Sequence, residues 1–209
     1  MKKLFTLACV AMLAVSASAQ ITWNAKLGLG FASCPGLDEG NTSLHFVGKA
    51  GVGIEYPLSD NLSLMPSLEF AAKGTKWDYS GYGETVKQTV DIYYLQVPVM
   101  AAYRLNLNDD WNLTVKAGPY FAYGLFGSID VTYTYNGQTK NENVDMDFDD
   151  TINRFDCGID VGVDFEHHRF VFGLEYERGF TNMVKNAENA EYTPTIYNQA
   201  FYATVGYKF

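Results

Sequence analysis

Beyond its first twenty residues the chain has no apolar run long enough to make a membrane helix. Crossing a bilayer as a helix takes about 18 consecutive apolar residues, and the longest later run, residues 97–103, already contains Pro98. Basic residues are scarce, 15 Lys and Arg against 24 Asp and Glu. Nucleic-acid phosphates demand Lys and Arg, so no nucleic-acid partner is expected. Three cysteines are too few for a disulfide framework. Amphipathic stretches of period 3.6 are missing too, which leaves strands as the building element.

The N-terminus, by contrast, has a secretory layout. Lys2 and Lys3 precede an apolar run over residues 4–15, and Ala17-Ser18-Ala19 forms a small-x-small cleavage site before Gln20. Residues 1–19 are read as a signal peptide and 20–209 as one β-barrel domain. No Cys adjoins the site, so a lipid anchor is not expected. Losing Lys2 and Lys3 leaves 13 basic residues against 24 acidic, a side-chain net of −11. Cys9 departs with the signal. Cys34 then opens a loop while Cys157 falls on a strand, settings that suit two free thiols better than a bridge.

Strict alternation dominates the remainder. Over residues 155–165 the odd positions are Phe, Cys, Ile, Val, Val and Phe, and every even position is Asp or Gly. Period-two patterning of this kind places one face in oil and the other in a polar setting. It recurs over residues 23–31, 46–56, 62–70, 95–103, 113–123, 170–177 and 201–209, making eight strands. Connections 57–61, 106–110 and 166–169 are short, whereas 32–43, 74–89, 127–150 and 181–198 are long. Short turns on one side and long loops on the other are the arrangement of an outer-membrane barrel, with the short turns facing the periplasm. The fold class expected is therefore all-β: an eight-stranded antiparallel up-and-down transmembrane barrel of a Gram-negative outer membrane, with outer-membrane lipid around it, a polar filled lumen and long extracellular loops. A monomer is expected.

Apolar parity switches near residues 92–95 and again near 149–153, and both switches are read as bulges or bends at the outer rim. Ile129, Val131, Tyr133 and Tyr135 keep the parity of the fifth strand and reach Asn136-Gly137, a hairpin pair, so the third loop is expected to be an extended hairpin. Two further spanning strands there would raise the count to ten. Trp23, Tyr56, Tyr103, Trp111, Phe165, Phe170 and Phe209 all fall at turn-side strand ends, as an interfacial aromatic girdle requires.

The inward positions carry Lys26, Lys49, Lys73, Arg104, Lys116 and Lys208 against Glu55, Glu69, Asp156, Asp160, Asp164, Glu175 and Glu177. An eight-stranded barrel is just wide enough for side chains to fill, and isolated charges inside it are costly. A paired polar plug is the preferred reading, ahead of an ion path. The row Asp156, Asp160, Asp164 offers oxygens to a cation, but equally a partner to each lysine or arginine; no metal or cofactor is expected. The acidic third loop, with Asp145, Asp147, Asp149 and Asp150, lacks the ligand spacing of a calcium loop. Ser43 and His45 share a strand face about 7 Å apart by strand rise, too far for a nucleophile and its base. His167 and His168 sit in a tight turn, so no enzyme is expected.

With the strands in place, Tyr94-Leu95-Gln96-Val97-Pro98-Val99, Tyr103 and Ala117-Gly118-Pro119-Tyr120 resemble the PorT-like outer-membrane β-barrel family. So do residues 155–162 and 174–182. The final strand, with Tyr207 and Phe209, is similar to the signal that the barrel-assembly machinery recognises, which makes that machinery an expected partner. The resemblance implies an outer-membrane barrel and no particular activity. The functional expectation is a structural or interaction barrel that meets ligands or partners through its outer loops. A narrow porin, a lipid-modifying enzyme and a soluble lipocalin-like barrel are the rivals.

Overall fold

In a strand, neighbouring side chains leave on opposite faces, so alternating sequences yield sheets with one oily and one polar surface. The computed structural model of the chain describes residues 21–35, 42–81, 84–135, 138–146, 148, 152–185 and 195–209. The signal segment, Asn136-Gly137 and the acids Asp147, Asp149 and Asp150 lie outside the described residues. The strands are β1 Thr22–Ser33, β2 Thr42–Ser43, β3 His45–Pro57, β4 Leu62–Gly81, β5 Glu84–Asn106, β6 Trp111–Tyr135, β7 Gln138–Asp145, β8 Phe155–His167, β9 Phe170–Gly179 and β10 Gln199–Lys208.

Eight of them close a ring. Every pairing is antiparallel, and the ring follows the chain: β1–β3–β4–β5–β6–β8–β9–β10, with β10 returning to β1 through Leu27↔Val205 and its neighbours. β2 and β7 stand outside the ring, on β4 and β6. Among the described residues β7 joins no second ring strand, which leaves the count at eight. The three short turns fall at 58–61, 107–110 and 168–169, the last with His168 at a left-handed φ of 55°.

The faces are as the alternation predicts. Val161, Leu174 and Val205 are 38%, 45% and 46% exposed, while Asp160 and Glu175 are 0% and 1% exposed. A water-soluble barrel would reverse these numbers. Aromatic rings collect at both rims. At the turn side Phe170, Tyr207 and Phe209 meet edge to face at 5.3 Å. At the opposite rim Phe31 meets Phe46 at 5.8 Å, and Tyr93 stacks on Phe70 and Phe126 at 5.7 and 4.8 Å.

β4, β5 and β6 are much longer than their ring neighbours. Their ends, residues 74–81, 84–91 and 128–135, continue past the rim and, with β7 on one edge and the two-residue β2 on the other, form a projecting sheet. At the strand rise its eight-residue arms reach about 25 Å. Much of what the sequence suggested as a loop over 74–89 is therefore strand, paired as far as Gly81↔Glu84. The expected register break at Tyr93/Tyr94 is present, but the extra residue belongs to β6: Tyr93 pairs with Phe126 and Tyr94 with Gly124, leaving Leu125 between them. A bulge shifts the side-chain register by one. Ile129, Val131, Tyr133 and Tyr135 thus lie on the face that continues the ring interior, not on the outer face that strand-five parity implied.

Candidate functional site

Two places concentrate chemistry: the ring interior and the projecting sheet above it. The interior is built in levels. Nearest the turns, Glu55 accepts from Arg104 and Lys208, the latter at 2.8 Å, and Ser63 donates to it at 3.1 Å. Glu166 takes Lys208 at 2.8 Å, Arg104 at 3.3 Å and the Thr114 hydroxyl at 2.9 Å. Glu166 falls in a predicted turn, yet its parity, two residues beyond Asp164, already marks it as inward. A polar vestibule of about 400 Å³ opens at this end, lined by Glu55, Arg104, Glu166, His168 and Lys208.

The middle is a dense ionic cluster. Lys116 binds Asp164 at 2.6 Å and Glu175 at 2.7 Å. Lys26 bridges Glu69 at 2.7 Å and Glu175 at 2.9 Å. Lys49 contacts Glu175, Glu177 at 3.0 Å and Glu69 at 3.5 Å. Gln96 donates to Glu177 at 2.9 Å and to Glu69 at 3.2 Å. The carboxylates of Glu69, Glu175 and Glu177 converge closely enough to suggest a metal set. Lys49 already supplies the positive charge at their centre, so the donor set suits an ammonium and not a divalent ion. The aspartate row does not converge: Asp164 turns to Lys116 and Asp156 to Tyr120, while Asp160 is fully buried beside Glu177 and its carboxylate accepts a hydrogen bond from no described residue. Between the lower two levels lies a cavity of about 40 Å³ edged by Lys26, Lys116 and Asp164. At about 10–15 Å³ for one water centre, that is room for a few waters and not for a channel.

Towards the opposite rim the filling becomes aromatic. Lys73 reaches Glu177 at 2.8 Å and lies 4.0 Å over the Tyr120 ring; Lys49 lies 4.6 Å over Tyr202. Tyr120 donates to Asp156 at 3.0 Å, and Asn198 donates to Asp156 at 3.0 Å and to the Tyr94 hydroxyl at 3.1 Å. Gly158, opposite Tyr120, leaves room for this ring; a Cβ there would meet it at 2.7 Å. Above sits an apolar cap of Cys34, Ile92, Tyr94, Tyr120, Ala122, Phe148 and Met183. Burial beneath the cap, followed by the charge of Asp156 and opposed by Lys73, pushes the Cys34 thiol up to about 12. Cys34 and Cys157 are both free thiols, as expected. The tyrosines, Gln96 and Asn198 were not singled out in the sequence, although Tyr120, Tyr202 and Gln96 sit at inward parity.

Ser43 and His45 prove to belong to different strands. Ser43 pairs with Lys76 of β4, while His45 faces inward and binds Asp91 of β5 at 2.6 Å. The projecting sheet has two unlike faces. Cross-strand rows Tyr79–Val86–Tyr133–Lys140 and Trp77–Gln88–Val131–Glu142 make one face aromatic, with Trp77 and Tyr79 stacked at 6.0 Å. The other carries Lys76, Asp78, Lys87, Asp130, Thr132 and Asn141.

No curated protein matches this chain in sequence. Among solved structures it is similar to CarO2 of Acinetobacter baumannii, with 12% identity, 91% of this chain and 100% of that one covered, and a TM-score of 0.47. It is also similar to Neisserial surface protein A, with 11% identity, 92% and 99% covered and a TM-score of 0.46. Ail of Yersinia pestis matches with 12% identity, 90% and 98% covered and a TM-score of 0.40. Residues 16–185 match the family described as outer membrane protein beta-barrel domain. An oily ring exterior around a charged interior is the physical form that family requires. The chain belongs to the outer membrane protein beta-barrel domain family, and its place is the cell outer membrane.

Proposed function

We propose that the protein is a closed transmembrane barrel that anchors a display surface: the ring holds it in the lipid, and the projecting sheet meets ligands or partners outside the cell. In this reading the short turns face the periplasm and the long arms face outward. The observation that carries it is the continuity of the filling, from the Glu55–Arg104 level through the lysine–glutamate cluster to the apolar cap. Among the described residues a lumen so occupied leaves no path for solute, and the surface left for recognition is the sheet.

The terminal strand, with Tyr207 and exposed Phe209, supports delivery by the barrel-assembly machinery, and the motifs from Tyr94 onward support a PorT-like placement within the family. No catalytic role is assigned. Protein purified into liposomes is expected to give no sustained conductance. Stable open channels overturn the closed-barrel reading in favour of a narrow porin, and altered lipid A masses in cells that carry the gene, relative to cells that lack it, overturn the non-catalytic one.

A further inference from the structure

Strand β7 is the outer edge of the projecting sheet. Among the described residues it pairs with β6 and with no other strand, all eight of its residues are exposed, and no proline interrupts them. An uncovered edge of this length is a row of unpaired N–H and C=O groups, ready to accept another strand. Natural edges are usually blunted by a bulge, a proline or charged side chains; on this one Lys140 and Glu142 match each other when the strand is laid against its own reverse.

The order is Gln138-Thr139-Lys140-Asn141-Glu142-Asn143-Val144-Asp145. Laid antiparallel against a second copy with Asn141 opposite Asn141, Lys140 of each strand stands opposite Glu142 of the other. On the polar face Thr139 meets Asn143, and the two Asn141 amides meet each other. Opposite charges directly across strands stabilise pairing and like charges oppose it. Parallel in-register pairing would set Lys140 against Lys140 and Glu142 against Glu142. The charge pattern therefore selects one orientation.

We propose that β7 is a homotypic docking edge that pairs antiparallel, about Asn141, with β7 of a second copy held in an opposed membrane. The inference rests on the outward display of the sheet proposed above. Opposed membranes follow from geometry: adjacent antiparallel strands are related by a two-fold axis normal to the sheet, which reverses strand direction. Because β6 rises from the ring and β7 returns towards it, the second ring must face the first mouth to mouth. The same rotation keeps each face on its own side, so the Trp77, Tyr79, Tyr133 and Tyr135 faces of both copies become one surface. The contact is isologous, as a two-fold interface must be. In the single chain Lys140 and Glu142 pair along the strand at 2.5 Å, with side chains 75% and 45% exposed; exposed pairs of this kind contribute little, so exchanging partners is easy. One eight-residue edge is a small interface, and its strength comes from many copies acting across two surfaces.

The test uses the mature chain in phosphatidylcholine–phosphatidylethanolamine vesicles, with the sheet shown to be outside by trypsin cleavage and the barrel shown to be folded by heat-modifiable migration. Light scattering should rise above that of protein-free vesicles for the natural sequence and stay at that background for Lys140→Glu or Glu142→Lys alone. Mixing the two variant populations should restore clustering, because an edge with two acids then meets an edge with two lysines. Asn141→Pro, which removes an edge donor and fixes φ, should abolish clustering in every combination. Folded, outward-facing natural protein that does not cluster vesicles, or clustering indifferent to these changes, overturns the docking edge. Conductance through the same vesicles reads the closed-barrel proposal separately.

Discussion

Three strands, β4, β5 and β6, run through both the ring and the sheet that rises from it, yet their oily residues lie on opposite faces in the two regions. Below the rim Leu95, Val97, Phe121 and Tyr123 point outward; above it Val86, Val90, Val131 and Tyr133 lie on the side that continues the interior. β5 alternates without interruption through the change, so its apolar residues switch faces in the sequence itself, and β6 follows by inserting Leu125. The difference teaches that alternation reports the surroundings and not the fold: oil outside puts apolar groups outside, and above the lipid the preference lapses.

The comparison can be broken from its interior first. Glu175→Ala removes the carboxylate shared by Lys26, Lys49 and Lys116 and leaves buried ammonium groups without it. Breaking a buried charge pair costs about 3–5 kcal/mol, and this loss should appear in the urea midpoint of the folded gel band. Next is the outer face. Val161→Lys places a charge in lipid near mid-strand and should cost about 2–4 kcal/mol, whereas Asp160→Asn, one residue away, changes an interior group that holds no partner hydrogen bond and should leave insertion intact. Equal losses would erase the distinction between faces. The sheet should answer differently: Tyr79→Lys, exposed and beyond the rim, should stay within about 0.5 kcal/mol of the parent. Smallest of all, Cys34 should resist maleimide at pH 8 until the barrel unfolds, because the thiol is both buried under the cap and held protonated up to about pH 12. Rapid labelling of the folded protein at Cys34 would show that the cap opens.

Legibility in the sequence followed the lipid. Where one face meets oil, as over residues 155–165, parity identified the strand, its faces and its inward charges. Partner choice was not readable, because Lys49 on β3 reaches Glu177 on β9 only through the closure of the ring. Over residues 74–89 the pattern predicts a loop and not sheet arms, because both faces leave the lipid there. The bulge at Leu125 sits between Gly124 and Phe126, and two consecutive apolar residues, Leu125 and Phe126, give no period of their own. The cap draws Cys34, Phe148 and Met183 from irregular segments, where no periodic pattern announces an inward side chain.

The central claim is an oily exterior around a sealed, charged interior, and the most direct measurement is spin-label accessibility along β8 in lipid vesicles, one label at a time from 159 to 165. Labels at Ile159, Val161, Val163 and Phe165 should relax with oxygen dissolved in the bilayer, while those at Asp160, Gly162 and Asp164 should be shielded from both oxygen and a water-soluble relaxant. Even positions open to the lipid, or no alternation at all, would contradict that claim.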